Sequence, residues 1–182
     1  SLVGSEMCIR DSNTLFEGRY LAETTSYNND DLFLSVRCPC RCTAPGEIDM
    51  SEVSDFLNAN PVQYLATVGR DGKAKVRPFM FMTEQKGRLW FCTNNTKDVY
   101  KDMNENPNIE VCVSDPSYAW IRIHGRAVFE DNMEIKEVCM QNPIVKGQYQ
   151  TADNPIFEVF YLADAHATIA DFSGEPPREY DL

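Results

Sequence analysis

The stretch VQYLATVGRDGKAKVRPFMFMT, residues 62–83, carries two runs of strand-forming residues on either side of a turn. Val62 to Val68 reads as a strand, Gly69-Arg70-Asp71-Gly72 as a hairpin turn, and Lys73 to Thr83 as a second strand. Side chains alternate across a strand, so Ala74, Val76, Pro78, Met80 and Met82 share one face, expected to be the core face. Lys73, Lys75, Arg77, Phe79 and Phe81 share the other, where three cations run into two aromatic rings. At ~3.3 Å per residue, Arg77 to Phe81 spans roughly 13 Å, the reach from a phosphate to a fused aromatic ring in a mononucleotide. That face is a candidate ligand surface. The competing reading is a solvated edge strand, with Pro78 as the edge marker and the lysines opposing aggregation.

The flanking sequence extends the pattern. Asp49 and Glu52 form a capping-box-like pair ahead of Val53, Phe56 and Leu57, and Asn60-Pro61 ends this short amphipathic helix. A turn at Gln85-Lys86-Gly87 leads into a strand from Arg88 to Thr93, and Lys97 to Asn106 reads as a second helix. Ile109 to Val113 and Tyr118 to Glu130 read as strands joined by Asp115-Pro116-Ser117, Asn132 to Gln141 as a helix, and Phe157 to Ala170 as a last strand. Gly174-Glu175-Pro176-Pro177 marks a frayed tail. Six strands at hairpin-like spacing, with helices between some of them, predict a mainly β domain over residues 47–172. The expected architecture is a six-stranded antiparallel barrel with flanking helices, followed by a tail over 173–182.

Two further segments offer ligand chemistry. In the strand from Tyr118, the set Ala119, Ile121, Ile123, Gly125, Ala127 and Phe129 is apolar, and Tyr118, Trp120, Arg122, His124 and Arg126 lie opposite. Aromatic rings interleaved with arginines suit a ligand or a subunit interface, because both groups stack and Arg also pairs with phosphates. The polar loop from Phe91 to Asp98 ends at a helix N-terminus, where free backbone N–H groups join Thr93, Thr96 and Lys97 as donors. That is anion-site chemistry, although Asn and Thr are also ordinary N-caps.

Composition bounds the partners. The 182 residues include 17 Lys and Arg against 28 Asp and Glu, a net charge of -11, which disfavours general attraction to nucleic acid or anionic lipid. No apolar run approaches the ~20 residues needed to span a bilayer, so no membrane partner is expected. Seven cysteines, an odd count scattered outside one cluster, suit a reduced, cytoplasmic protein. Residues 1–46 show no sustained period and are expected to be a disordered or extraneous extension. Their opening, SLVGSEMCIRDS, resembles adapter-derived sequence, and Met50 is a plausible start.

Four blocks, VQYLATVGRDGKAKVRPF, LWFCTNNTKDVYKDM, WIRIHGRAVFED and PIFEVFYLADAHATI, resemble in order those of the pyridoxamine 5'-phosphate oxidase-like FMN-binding split-barrel superfamily. The likeness covers about residues 48 to 170 and is nearest to the small single-domain branch that includes nitroimidazole-reductase (Nim) type proteins. It implies a six-stranded split barrel and a homodimer with FMN at the interface. It also implies an FMN-dependent oxidoreductase that exchanges a hydride or electrons with a small planar substrate, NAD(P)H being a candidate donor. By the same resemblance, Arg77 meets the FMN phosphate, Pro78, Phe79 and Met80 border the isoalloxazine, and Thr93, Thr96 and Lys97 form the phosphate loop. Trp120 falls where relatives carry a Gln, which implies stacking or shielding, and Arg122-Ile123-His124-Gly125 matches an R-I-x-G block. Residues Gly174 to Leu182 do not match the C-terminal substrate-phosphate block of true pyridoxamine phosphate oxidases, so a vitamin B6 substrate is not implied.

Other readings compete. Haem binding or handling on the same barrel would want an axial ligand, for which the chain offers His124 and His166. Cys38-Pro39-Cys40-Arg41-Cys42 carries metal-binding thiolates but lacks C-x2-C pairing and a clear fourth ligand, so no metal site is expected. A non-catalytic flavin carrier needs the same pocket as a flavoenzyme. Cys92, Cys112 and Cys139 read as small apolar core residues.

Overall fold

In the computed structural model, which describes residues 50–182, α1 (Met50–Ala59) buries Val53 and Leu57, four apart and so on one face. The expected cap Asp49, the extension over 1–46 and the Cys38, Cys40, Cys42 cluster lie outside the described residues. β1 (Gln63–Val68) and β2 (Ala74–Phe79) form a hairpin whose turn is closed by Gly72 at φ 74°. β3 (Phe81–Gln85) and β4 (Arg88–Asn94) form another, joined by Lys86 and Gly87 at φ 57° and 68°. Positive φ at both positions gives the mirror-image turn that matches strand twist. The order continues through α2 (Asp98–Glu105), β5 (Asn108–Ser114), β6 (Trp120–Phe129), α3 (Met133–Cys139), α4 (Pro143–Tyr149), β7 (Phe157–Ala170) and β8 (Arg178–Asp181).

The strands make one sheet in the order β2-β1-β5-β6-β7-β4-β3, with β8 added on β7. β2 and β3 end that order, yet only Met80 separates them in the chain, so the sheet curls until its two edges meet at this corner. The architecture is a mainly β split barrel with flanking helices. Leu65, Phe91, Val111, Ile121, Ile123 and Phe160 fill its interior, packed with Val53 and Leu57 of α1 and Val99 and Met103 of α2. Because successive side chains alternate, Trp90 and Val159 point to the other face. There they pack with Ile135 and Cys139 of α3 and Val145 and Tyr149 of α4. Opposite Gly125 the register with β7 slips by one residue beside Asp164, which sits at φ 52°.

Several expectations change. Lys73 to Thr83 is two strands, because β2 pairs with β1 while β3 pairs with β4 at the opposite edge of the sheet. The face assignment of this segment reverses. Val76 is 66% exposed and Phe81 is buried, since Arg77 lies opposite buried Leu65 and Phe79 opposite buried Gln63. The edge-strand alternative describes β2. The six expected strands become eight: the split at Met80 adds one, and β8, where a frayed tail was expected, pairs with residues 166–169 of β7 and packs Tyr180 on the core. Helix α4 occupies a stretch for which no element was expected.

Candidate functional site

A cleft of about 290 Å³ opens at the Met80 corner. Pro78 and Phe79 line it from β2, Met82 from β3 and Met80 from the corner between them, and Cys92 lines it from β4. Ile144, Val145, Gln148 and Tyr149 of α4 contribute to the wall, and Lys97 reaches the cleft from the start of α2. Lys97, Gln148 and the Tyr149 hydroxyl are the polar groups in a lining that is otherwise apolar apart from the Cys92 thiol, a composition that suits an apolar planar group with one anionic end. Asn142 holds α4 in place twice. Its Oδ1 accepts from the Ile144 N–H at 2.9 Å, and its Nδ2 donates to the Met80 sulfur at 3.2 Å.

The anion-binding part is built by the loop before α2. Asn94 Oδ1 accepts from the Thr96 backbone at 2.7 Å and from its hydroxyl at 2.6 Å, which shapes the loop. Lys97 occupies the N-cap position, and no side chain caps the helix there, so first-turn N–H groups can meet an anion beside the Lys97 ammonium. Thr93 does not join them. It alternates with Cys92, faces the barrel interior, and its buried hydroxyl has no hydrogen-bond partner among the described residues.

Arg77 also turns inward, where its Nη1 donates to Thr67 Oγ1 at 2.8 Å. Burial pushes its guanidinium pKa down, partly offset by the charge of Asp102. Asp102 is itself buried and accepts from Arg70 Nε at 3.0 Å and from the Arg70 N–H at 3.2 Å. Burial pushes its carboxyl up, but the Arg70 hydrogen bonds and the Lys75 charge outweigh this and hold it below the usual carboxylate range. Trp120 and Arg122 lie on the outer face of β6, away from the cleft lining: the Trp120 ring stands 5.3 Å from that of Phe172. Arg122 pairs with Glu110, whose hydrogen bond raises the guanidinium pKa. On the same face the rings of His124 and His166 are 5.3 Å apart, and His166 Nδ1 lies 2.7 Å from Asp181 Oδ1. Of the expected site residues, then, the cleft gathers Pro78, Phe79, Met80 and Lys97, with Thr96 adjacent in the chain. Arg77, Thr93, Trp120 and Arg122 sit elsewhere on the single chain.

Residues 50–163 match the pyridoxamine 5'-phosphate oxidase family. The chain belongs to that family. Among solved structures, a NimC/NimA family protein from Clostridium acetobutylicum is similar at 32% identity and a TM-score of 0.67, over 73% of this chain and 92% of that one. A pyridoxamine 5'-phosphate oxidase-related, FMN-binding protein from Nostoc punctiforme shares the fold at 16% identity and a TM-score of 0.52, over 75% and 90% of the two chains. A heme binding protein from Mycobacterium smegmatis shares it at 16% identity and a TM-score of 0.55, over 68% and 54%. No curated protein matches the chain.

Within this member of the pyridoxamine 5'-phosphate oxidase family, the wall formed by α4 is what sequence reasoning missed. A signal was present in Asn142-Pro143, an N-cap residue followed by proline at the first helical position. Cys92 and Met82, expected in the core, both line the cleft.

Proposed function

We propose that the cleft at the Met80 corner binds FMN and that the protein is an FMN-dependent oxidoreductase acting on a small planar substrate, with a reduced nicotinamide nucleotide as donor. The observation that carries this reading is the meeting, in one cleft, of Lys97 at the uncapped start of α2 with the apolar walls of Phe79, Met80 and Tyr149. Bound FMN would supply hydride or electron transfer at its ring. The chain's part is to bind and orient. Lys97 and the first-turn N–H groups offset the phosphate charge, which a protein of net charge -11 must do locally. The Met80 corner and α4 exclude water from the ring.

The reading includes a homodimer. Tyr64, Val76 and Pro78 share the outer face of the β1–β2 hairpin, with Tyr64 opposite Pro78, and Tyr64 and Val76 are 50% and 66% exposed. Such an apolar face suits a subunit contact. Trp120 and Arg122, outside the cleft of their own chain, would complete the cleft of the partner. Haem is the weaker reading, because His124 and His166 stand outside the cleft.

The test is an FMN titration of the purified protein followed by absorption and flavin fluorescence, with chromatography of any ligand released on denaturation. A bound-flavin spectrum is expected; no binding would overturn the reading, and a haem spectrum would replace it. Turnover of NADH or NADPH with an artificial acceptor then separates enzyme from flavin carrier.

A further inference from the structure

The chain has two histidines, and the fold brings them together on the outer face of the sheet. His124 follows buried Ile123 on β6, and His166 stands between buried Ala165 and Ala167 on β7. They lie directly opposite each other, the last pair before the register slips beside Gly125. Their rings are 5.3 Å apart and inclined by 37°. His166 Nδ1 lies 2.7 Å from Asp181 Oδ1 on β8. An Nδ1–H donated to that carboxylate fixes the tautomer and leaves Nε2 with a free lone pair. Neither His166 Nε2 nor either ring nitrogen of His124 has a hydrogen-bond partner among the described residues. The cations beside the pair are already neutralised, Arg122 by Glu110 at 2.5 Å and Arg126 by Asp164 at 3.0 Å. A protein of net charge -11 does not repel a cation from such a place.

We propose that His124 and His166 chelate one divalent transition-metal ion of the zinc type on the outer face of the barrel. With Zn–N bonds of ~2.0 to 2.1 Å and the ion in the plane of each ring, two imidazoles at a tetrahedral angle place their centroids about 5.2 Å apart. The 5.3 Å between these rings therefore accepts an ion without moving either strand. Two imidazole nitrogens suit zinc, nickel or copper, whereas magnesium and calcium take oxygen ligands. Glu110, opposite His124 in register, is engaged by Arg122, and among the described residues no group of three or more His, Cys, Asp or Glu is placed to hold an ion. The ion is thus held by the two histidines, with water in its remaining positions. Asp181 orients His166, as carboxylates do behind metal-bound imidazoles. The pair lies outside the cleft lining, so this inference does not rest on flavin binding.

Titration of the full chain with cobalt(II), a stand-in for zinc with visible ligand-field absorption, followed by displacement with zinc, provides the test. One equivalent is expected to bind with the spectrum of nitrogen and oxygen ligation. Thiolate ligation adds an intense charge-transfer band, which separates this site from Cys38, Cys40 and Cys42. A full-length variant with these three cysteines changed to Ser should bind the ion as wild type does. Asp181→Asn keeps both ligands and should weaken binding about ten- to 100-fold, and His124→Ala and His166→Ala, each removing a ligand, should weaken it further. The proposal is overturned if wild type binds cobalt(II) through thiolate alone or not at all, or if either histidine variant binds it as tightly as wild type. Wild type and the cysteine variant decide the first of these even where a histidine variant does not fold.

Discussion

Gln63 accepts a hydrogen bond at its Oε1 from the backbone N–H of Phe81, 2.5 Å away, across the corner where the sheet changes edge. Its amide end donates to the Leu57 and Asn60 carbonyls at 2.9 and 2.7 Å, so one buried side chain joins the end of α1 to the start of β3. At the Met80 corner the chain leaves one ladder before entering the next, and Gln63 satisfies the N–H that neither takes. Gln63→Ala leaves a buried donor and two carbonyls to find other partners and is expected to cost about 1–3 kcal/mol. Urea denaturation of wild type and variant checks this; an unchanged midpoint would show that the corner closes without Gln63.

Lys97 and the FMN phosphate are linked by the proposed function. Lys97→Ala is expected to weaken FMN binding by ~1.5 to 3 kcal/mol, about ten- to 150-fold, the range for a charge-assisted hydrogen bond. Quenching of flavin fluorescence measures it, and equal affinity in the two proteins removes Lys97 from the site.

Asp102 gives a pH signature. Its carboxyl is held below its ordinary value of 3.8, so its stabilising contribution is fully present above that value and is lost as pH falls through the folded-state pKa. Asp102→Asn should therefore be less stable than wild type at neutral pH, and the difference should narrow as the medium is acidified below pH 3.8. Thermal melts across this window test it; a pH-independent difference would mean that the side chain acts through shape alone.

The exposed Val76 face makes a prediction about assembly. Val76→Asp puts a charge on the outer face of the β1–β2 hairpin and, under the proposed dimer, should weaken self-association at least about tenfold. Sedimentation velocity over a concentration series reads this directly. A dimer indifferent to the substitution would locate the contact on another surface.

Gly125 is held by close approach. A methyl there would lie 3.1 Å from the Ala163 carbonyl oxygen and 3.2 Å from the Ala165 Cα. Both are backbone atoms of β7, so Gly125→Ala is expected to destabilise by about 1–3 kcal/mol, measurable as a lowered melting temperature.

Much of this fold was legible in the residues. Ile121, Ile123 and Ala127 alternate as the sequence required and are buried, and the hairpin at Gly72 falls where its turn residues stand. What alternation could not reveal is the corner at Met80. Period-2 patterning is blind to a change of partner strand, and the hydrogen bond that marks the break comes from Gln63, far back in the chain. The inner position of Arg77 was hidden for the same reason: its side of the sheet is set by pairing with Leu65, not by its own polarity. Lys97 was visible as the start of a helix. The α4 wall was not, because seven residues of modest apolar pattern carry little periodic signal.

β7 pairs with β6 along one edge, and with β4 and then β8 along the other. Because it begins at Phe157, synthesis from the N-terminus produces every earlier strand before the one that joins them. Until then β4 and β6 each present a row of unpaired backbone groups. Without β7 the strand order divides into two open-edged sheets, β2-β1-β5-β6 and β4-β3, so a strand made late in synthesis is the one that covers both of these exposed edges.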